Sequence, residues 1–328
     1  MGKQPRFQQD KPIATIEGWE DGQHYERSVM TLDRWELQSA ERLVIHIGRH
    51  DIVLLQDPHS PHLGGYVWLS SIVFCSYLDS LHSGMHKGRG HRHDWIHVGN
   101  GKRWVELGSG VGLIGLMLHK LGVEDVVVTD IDALVPTIEK NVEANGVLVQ
   151  SISGRRRNEK TMEDCSSMPT AIVVEPLIWN DEDAIRHIRS TGGPIDYILA
   201  CDCIYSEASA VDLVLTMEKL AGSDTVIICL SEVRNQMAQD TFLEQAKAFF
   251  TVELIPPVQW QKKVAGIHFD GTLNLYRLYK SSSPISPIGH HHHHHHHHHK
   301  EVSGRRRKSA GSGYTGSSTS ILSEIPSR

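Results

Sequence analysis

Residues 104–118 read WVELGSGVGLIGLML: an apolar strand-like start, glycines at 108, 110, 112 and 115, and an apolar run. A strand that turns through glycines into a helix presents bare backbone N–H groups at the helix start, where a nucleotide-like ligand can sit. The chain around this stretch repeats the alternation. Strands are predicted at 103–107, 125–129, 171–174, 197–200 and 225–230, and helices at 113–121, 134–145, 207–221 and 237–250. Segments 251–254 and 273–279 suit an antiparallel edge. The expected fold is α/β, a doubly wound, seven-stranded, mostly parallel sheet with its ligand at the loop after the first strand.

Two ligands compete for that loop. Gly110, Gly112 and Gly115 satisfy the dinucleotide spacing G-x-G-x-x-G, while Glu106, Gly108, Gly110 and Gly112 satisfy the E-x-G-x-G-x-G of S-adenosylmethionine (SAM) enzymes. Charge discriminates between them. A dinucleotide brings an anionic pyrophosphate that a carboxylate at the loop entrance opposes, whereas SAM brings an ammonium and a sulfonium. Glu106 therefore favours SAM, unless it is a strand-end acid facing water. Asp130 lies 20 residues after Gly110 at the end of VVVTD, placed to accept hydrogen bonds from ribose in either case. The glycines are not followed by GK[ST], which argues against a triphosphate P-loop.

Composition restricts the function class. Of 328 residues 39% are hydrophobic, enough for a sizeable core, and no apolar run reaches the length of a membrane helix. The start, MGKQPRFQQDK, has no signal-peptide core, so a cytosolic or also nuclear, monomeric protein without a membrane partner is expected. Residues 281–328, with ten histidines at 290–299 and the run RRRK, are expected to be a disordered low-complexity tail. The body before it keeps 27 basic and 37 acidic side chains, a balance of −10 that argues against a nucleic-acid partner. Cys201 and Cys203 have no second pair to complete a zinc site, and the histidines at 82, 86, 91, 93 and 97 follow no ligand spacing, so no metal is expected. Ahead of the sheet, RLVIHIGRHDIVLLQD (42–57) reads as a β-hairpin within an N-terminal extension, 1–63. The stretch 64–84 has helical spacing, and 82–102 and 150–168 read as polar loops.

Segment 104–146 resembles the SAM-binding half of the seven-strand protein-lysine methyltransferases, which modify chaperones, elongation factors and valosin-containing protein. Four further stretches are similar to the family in the same order. GGYVWLSS (64–71) resembles its G-x-x-x-W element, VVEPLIW (173–179) its V-x-x-L-x-W strand, YILACDCIYSE (197–207) its D-x-x-Y signature, and IICLSEVRNQ (227–236) its segment with Glu and Arg. The likeness through ACDCIYSE is greatest to the branch acting on valosin-containing protein. Val111, Leu69 and Ser231 depart from the family pattern.

The resemblance implies a SAM-dependent methyltransferase domain over 64–280, acting on a lysine amine of a protein substrate. It implies catalytic roles for Asp202 and Tyr205, which hold the acceptor nitrogen and wall its channel. It implies cofactor contacts from Trp68, Glu106, Gly108, Ser109, Gly110, Gly112, Asp130, Trp179 and Cys201. Plainer roles remain open: Asp202 capping the next helix, Tyr205 packing, Trp68 and Trp179 as core tryptophans, Glu232 and Arg234 as an ordinary salt bridge. A SAM enzyme for a small molecule, an NAD-binding oxidoreductase and a non-catalytic interaction module are the alternative functions.

Overall fold

A computed structural model describes residues 11–86, 94–152, 171–264, 266–269 and 272–281. Two β-sheets organise them within one unit, Met1–Pro284. The first sheet comes from β1 (Ala14–Glu20), β2 (Gln23–Val29), β3 (Arg42–Ile47) and β4 (His50–Leu55), with the short helix α1 (Arg34–Ser39) between β2 and β3. Its order is β2-β1-β3-β4 and every pairing is antiparallel. Strict alternation buries Leu43, Ile45 and Ile47 of β3 and Ile52 and Leu54 of β4 on one face. The hairpin read at 42–57 is thus half of a larger sheet.

The remaining elements are α2 (Leu69–His86), β5 (Arg103–Leu107), α3 (Leu113–Lys120), β6 (Asp125–Asp130), α4 (Val135–Ala144), β7 (Leu148–Gln150), β8 (Ala171–Pro176) and α5 (Glu182–Ser190). They continue with β9 (Tyr197–Cys201), α6 (Glu207–Leu220), β10 (Val226–Glu232), α7 (Gln236–Phe249), β11 (Thr251–Leu254), α8 (Pro257–Trp260) and β12 (Leu273–Tyr279). The second sheet is ordered β11-β12-β10-β9-β5-β6-β8-β7. Pairs from β7 through β10 are parallel, and β12 runs antiparallel to both β10 and β11. This sheet has eight strands rather than seven, because the three residues of β7 add to the free edge of β8. Helix α2 also runs to His86, inside the stretch read as a loop from 82.

Central strands are buried on both faces, as all five residues of β5 show, which is why they read as continuous apolar runs. One core joins the first sheet to the helices on one face of the second, through Leu54, Leu78, Met117 and Ile138. The other core lies on the opposite face, around Ile185, Leu213, Met217 and Phe242. From β5 the chain turns to β6 on one side and reaches β9 on the other. The crevice at their carboxyl ends is where such sheets bind ligands. Residues 87–93 of the first polar loop, residues 153–168 of the second, the histidine tract and the RRRK run lie outside the described residues. Among the described residues no helix is long and apolar enough to cross a membrane.

Candidate active site

A cleft of about 760 Å³ opens at that crevice. Its floor is the glycine loop, where Gly108, Gly110 and Gly112 have φ of +61°, +58° and +86°, values that side chains disfavour. Space is tight for side chains as well. A Cβ on Gly108 would stand 2.8 Å from Cys203 Sγ, and one on Gly110 would stand 3.3 Å from the Gly64 carbonyl oxygen. Ser109 pins the loop to β6: its N–H donates to the Thr129 carbonyl (2.9 Å) and its hydroxyl oxygen accepts the Thr129 N–H (3.1 Å). Asp130 completes the turn. Its Oδ2 accepts the Gly110 N–H and its Oδ1 the Ile131 N–H, each at 2.8 Å, which leaves a further acceptor site on each oxygen. Burial raises its pKa.

Glu106 projects from β5 beneath the loop and is 3% exposed. Its Oε2 has no hydrogen-bond partner among the described residues. Burial raises its pKa to about 8, helped by the nearby Asp130 and opposed by the Gly115 amide and the Ser109 hydroxyl. A buried carboxyl with a spare oxygen in a ligand cleft is built for a cation.

The other end of the cleft is a charge network. Asp202 takes φ +61°, a left-handed conformation that aspartate tolerates, and its N–H donates to the Leu230 carbonyl of β10 (2.8 Å). Its side chain, 2% exposed, accepts a forked pair from Arg234, Nη1 to Oδ1 at 2.5 Å and Nη2 to Oδ2 at 2.7 Å. The Ser70 hydroxyl donates to Oδ2 as well (2.8 Å). Three of the four lone-pair sites are thereby filled, and one remains on Oδ1. Arg234 also bonds Glu232, and Glu232 accepts Arg34 Nη2 of α1 at 3.0 Å. Both guanidinium groups stand over the Trp68 ring, at 4.4 Å for Arg234 and 5.8 Å for Arg34.

Some of the plainer roles left open by the sequence are filled by other residues. Ser206, not Asp202, caps α6, by accepting the Ser209 N–H. The core tryptophans are Trp104 and Trp260, at 1% and 0% exposure, while Trp68 and Trp179 are partly exposed and line the cleft. Tyr205 stays 47% exposed with its ring 6.0 Å from Trp179, and burial of the remainder raises its pKa. Glu232 and Arg234 are more than an isolated pair, since they continue to Asp202 and Arg34. Ten of the eleven residues singled out in the sequence line this cleft; Gly112 instead begins α3 as its N-cap. Sequence reasoning missed Arg34, Ser70, Cys203 and the segment His62–Gly64 that covers the glycine loop. Ser70, Gly64 and Cys203 stood inside quoted motifs without being singled out for the site, and nothing marked the others.

The residues fit SAM: a glycine cradle crowded against any added Cβ, a carboxylate beside it for ribose hydroxyls, a buried orphan carboxyl oxygen for a cation, and a flat indole for an adenine. A family model described as lysine methyltransferase matches residues 48–249. Protein N-lysine methyltransferase METTL21A of Danio rerio is 25% identical over 262 residues, covering 79% of this chain and 96% of that protein. Its Xenopus tropicalis counterpart is 28% identical over 227 residues, covering 68% and 84%. Protein-lysine N-methyltransferase EFM6 of Saccharomyces cerevisiae is 25% identical over 215 residues, covering 61% and 75%.

Proposed function

The chain belongs to the lysine methyltransferase family, and from that premise we propose that it transfers methyl groups from SAM to a lysine side-chain amine in a protein substrate. The observation that carries this reading is Glu106, whose buried, unpartnered oxygen selects a cationic cofactor over an anionic dinucleotide. When bound, SAM supplies a methyl group on a sulfonium, an electrophile for a neutral amine.

The protein's own groups then have separable tasks. Glu106 meets the cationic end of the cofactor, Asp130 accepts from the ribose, and Trp179 offers a flat face to the adenine. Asp202, immobilised by three donors, offers its one remaining lone pair to an N–H of the acceptor lysine, which surrenders its proton to solvent. Trp68 and Tyr205 wall the approach and exclude water from it. The substrate is a protein of the chaperone, AAA-ATPase or elongation-factor kind to which the family resemblance points. The acidic body supports a protein rather than a nucleic acid as partner, and a monomeric protein of the cytosol or nucleus fits the same reading.

Incubation with methyl-labelled SAM and a cell extract is expected to label a discrete protein, with the label on methyl-lysine after hydrolysis. Label confined to nucleic acid or to small molecules would overturn the reading.

Asp130→Ala tests the cofactor end alone. Unpairing ribose hydroxyls and the Gly110 N–H is expected to cost about 1–3 kcal/mol, or roughly 5- to 150-fold in S-adenosylhomocysteine affinity. Calorimetric titration of the folded variant measures this, and parental affinity would place the ribose elsewhere.

A further inference from the structure

The glycine loop is also held from outside, by a residue of α4 that the sequence did not single out. Asn141 lies on α4 and is fully buried. Its Nδ2 donates both to the Val111 carbonyl inside the glycine loop (2.8 Å) and to the Leu55 carbonyl of β4 (3.1 Å). Its Oδ1 accepts the Leu55 N–H at 2.7 Å. One helical turn later, Asn145 treats the preceding strand position alike: Oδ1 accepts the Val53 N–H (2.9 Å) and Nδ2 donates to the Val53 carbonyl (2.8 Å).

Strand β4 is the edge of the first sheet, so the backbone groups of Val53 and Leu55 have no strand partner on that side. Two residues along a strand advance about 6.6 Å and one helical turn about 5.4 Å, so amides four apart, on α4 and at its C-cap, can read alternate residues of the edge. The two asparagines thus stand in for a missing strand. They differ in one respect: Asn145 spends its second N–H on the Asn141 carbonyl of its own helix (2.7 Å), whereas Asn141 spends its own on the glycine loop. The chain leaving the first sheet reaches the same loop a second time, where the Gly64 carbonyl oxygen would stand 3.3 Å from a Cβ on Gly110, a tight contact.

We propose that Asn141 is a positioning residue for the cofactor. It ties the glycine loop to the edge of the N-terminal sheet, so that this sheet is part of the cofactor site and not an appendage to it. The inference rests on the cofactor reading above, but the tie itself exists without a ligand. Val111 is held by Asn141, and its neighbour Gly112 donates its N–H to the Ser109 carbonyl (2.9 Å). Losing the amide at 141 therefore loosens the turn that shapes the site.

The test compares Asn141→Ala with Asn145→Ala, each read by S-adenosylhomocysteine calorimetry and by hydrogen exchange of the ligand-free protein. Both variants strip edge contacts from β4, and both are expected to melt lower than the parent. Only Asn141→Ala is expected to lose about tenfold in affinity, the scale of one buried hydrogen bond, and to exchange the Gly112 amide faster. Asn145→Ala should stay within about twofold of the parent in affinity, with Gly112 exchange unchanged. If Asn141→Ala does not fold, Asn141→Ser, which keeps one polar atom, is read the same way. Equal losses in both variants, or parental affinity and exchange in the Asn141 variant, would overturn the proposal. A parent that binds no S-adenosylhomocysteine defeats the cofactor reading instead, and Gly112 exchange still decides whether Asn141 holds the loop.

Discussion

Asp202→Asn is expected to lower methyl transfer by ~100-fold or more, the scale of a positioned catalytic group, while cofactor affinity changes only a few-fold. The exchange replaces one carboxylate oxygen by an NH2 group. Because both oxygens accept from Arg234, either amide orientation points N–H at N–H and breaks the fork. The charge that orients an incoming ammonium disappears with it. Cofactor binding is insulated, since Glu106, Asp130 and the glycine loop hold the other end of the cleft. Single-turnover transfer to the labelled substrate protein and calorimetry on the same folded sample give both quantities. Arg234→Gln separates direct from indirect action, because it leaves the Asp202 carboxylate in place with the Ser70 hydroxyl still bonded. If the carboxylate itself receives the lysine, Arg234→Gln costs less than Asp202→Asn. Parental turnover in the Asp202→Asn protein would remove this residue from the mechanism.

How much of this was legible in the sequence depended on whether the signal was local. The β5-loop-α3-β6 unit could be read because a strand buried on both faces, a glycine turn and a helix follow one another within 27 residues, Trp104 to Asp130. Glu106 and Asp130 stood out as carboxylates at or next to the end of an apolar strand. Strand β2, QHYERSV, carried no signal: six of its seven residues are exposed, so no alternation marks it. Strand β7 is too short to leave a pattern and exists only because the edge of β8 accepts it. The longest-range features were invisible for a different reason. Arg34 and Glu232 are 198 residues apart, and nothing near either names the other. Asn141 reads as an ordinary polar position of an amphipathic helix until the fold sets an unpaired strand edge against it. Tertiary placement, not residue type, assigns those roles.

The pH dependence of the cofactor end is the second large effect. In the free protein Glu106 has its pKa raised by burial to about 8, from an ordinary value near 4.5. Below that ordinary value the folded and unfolded chains both carry the proton, and Glu106 contributes no pH dependence. Between the two values the unfolded chain loses the proton while the folded chain keeps it. The group therefore costs stability progressively as pH rises, by up to ~1.4 kcal/mol per unit. The ligand-free protein is expected to melt lower as pH rises from 5 to 8, and Glu106→Gln, which has no proton to lose, is expected to flatten that slope. Cofactor binding must run the other way. A cation placed against Glu106 favours the carboxylate, so binding near neutral pH expels its proton, and affinity climbs toward pH 8 by up to tenfold per unit. Calorimetry of S-adenosylhomocysteine in buffers of different ionisation enthalpy reads the released proton directly. Glu106→Gln should release none, bind more weakly, and differ most from the parent at the alkaline end. A parent whose affinity and proton release ignore pH between 5.5 and 7.5 would mean that Glu106 does not face the cationic end of the ligand. The choice of SAM over a dinucleotide would then lose its physical basis in this cleft.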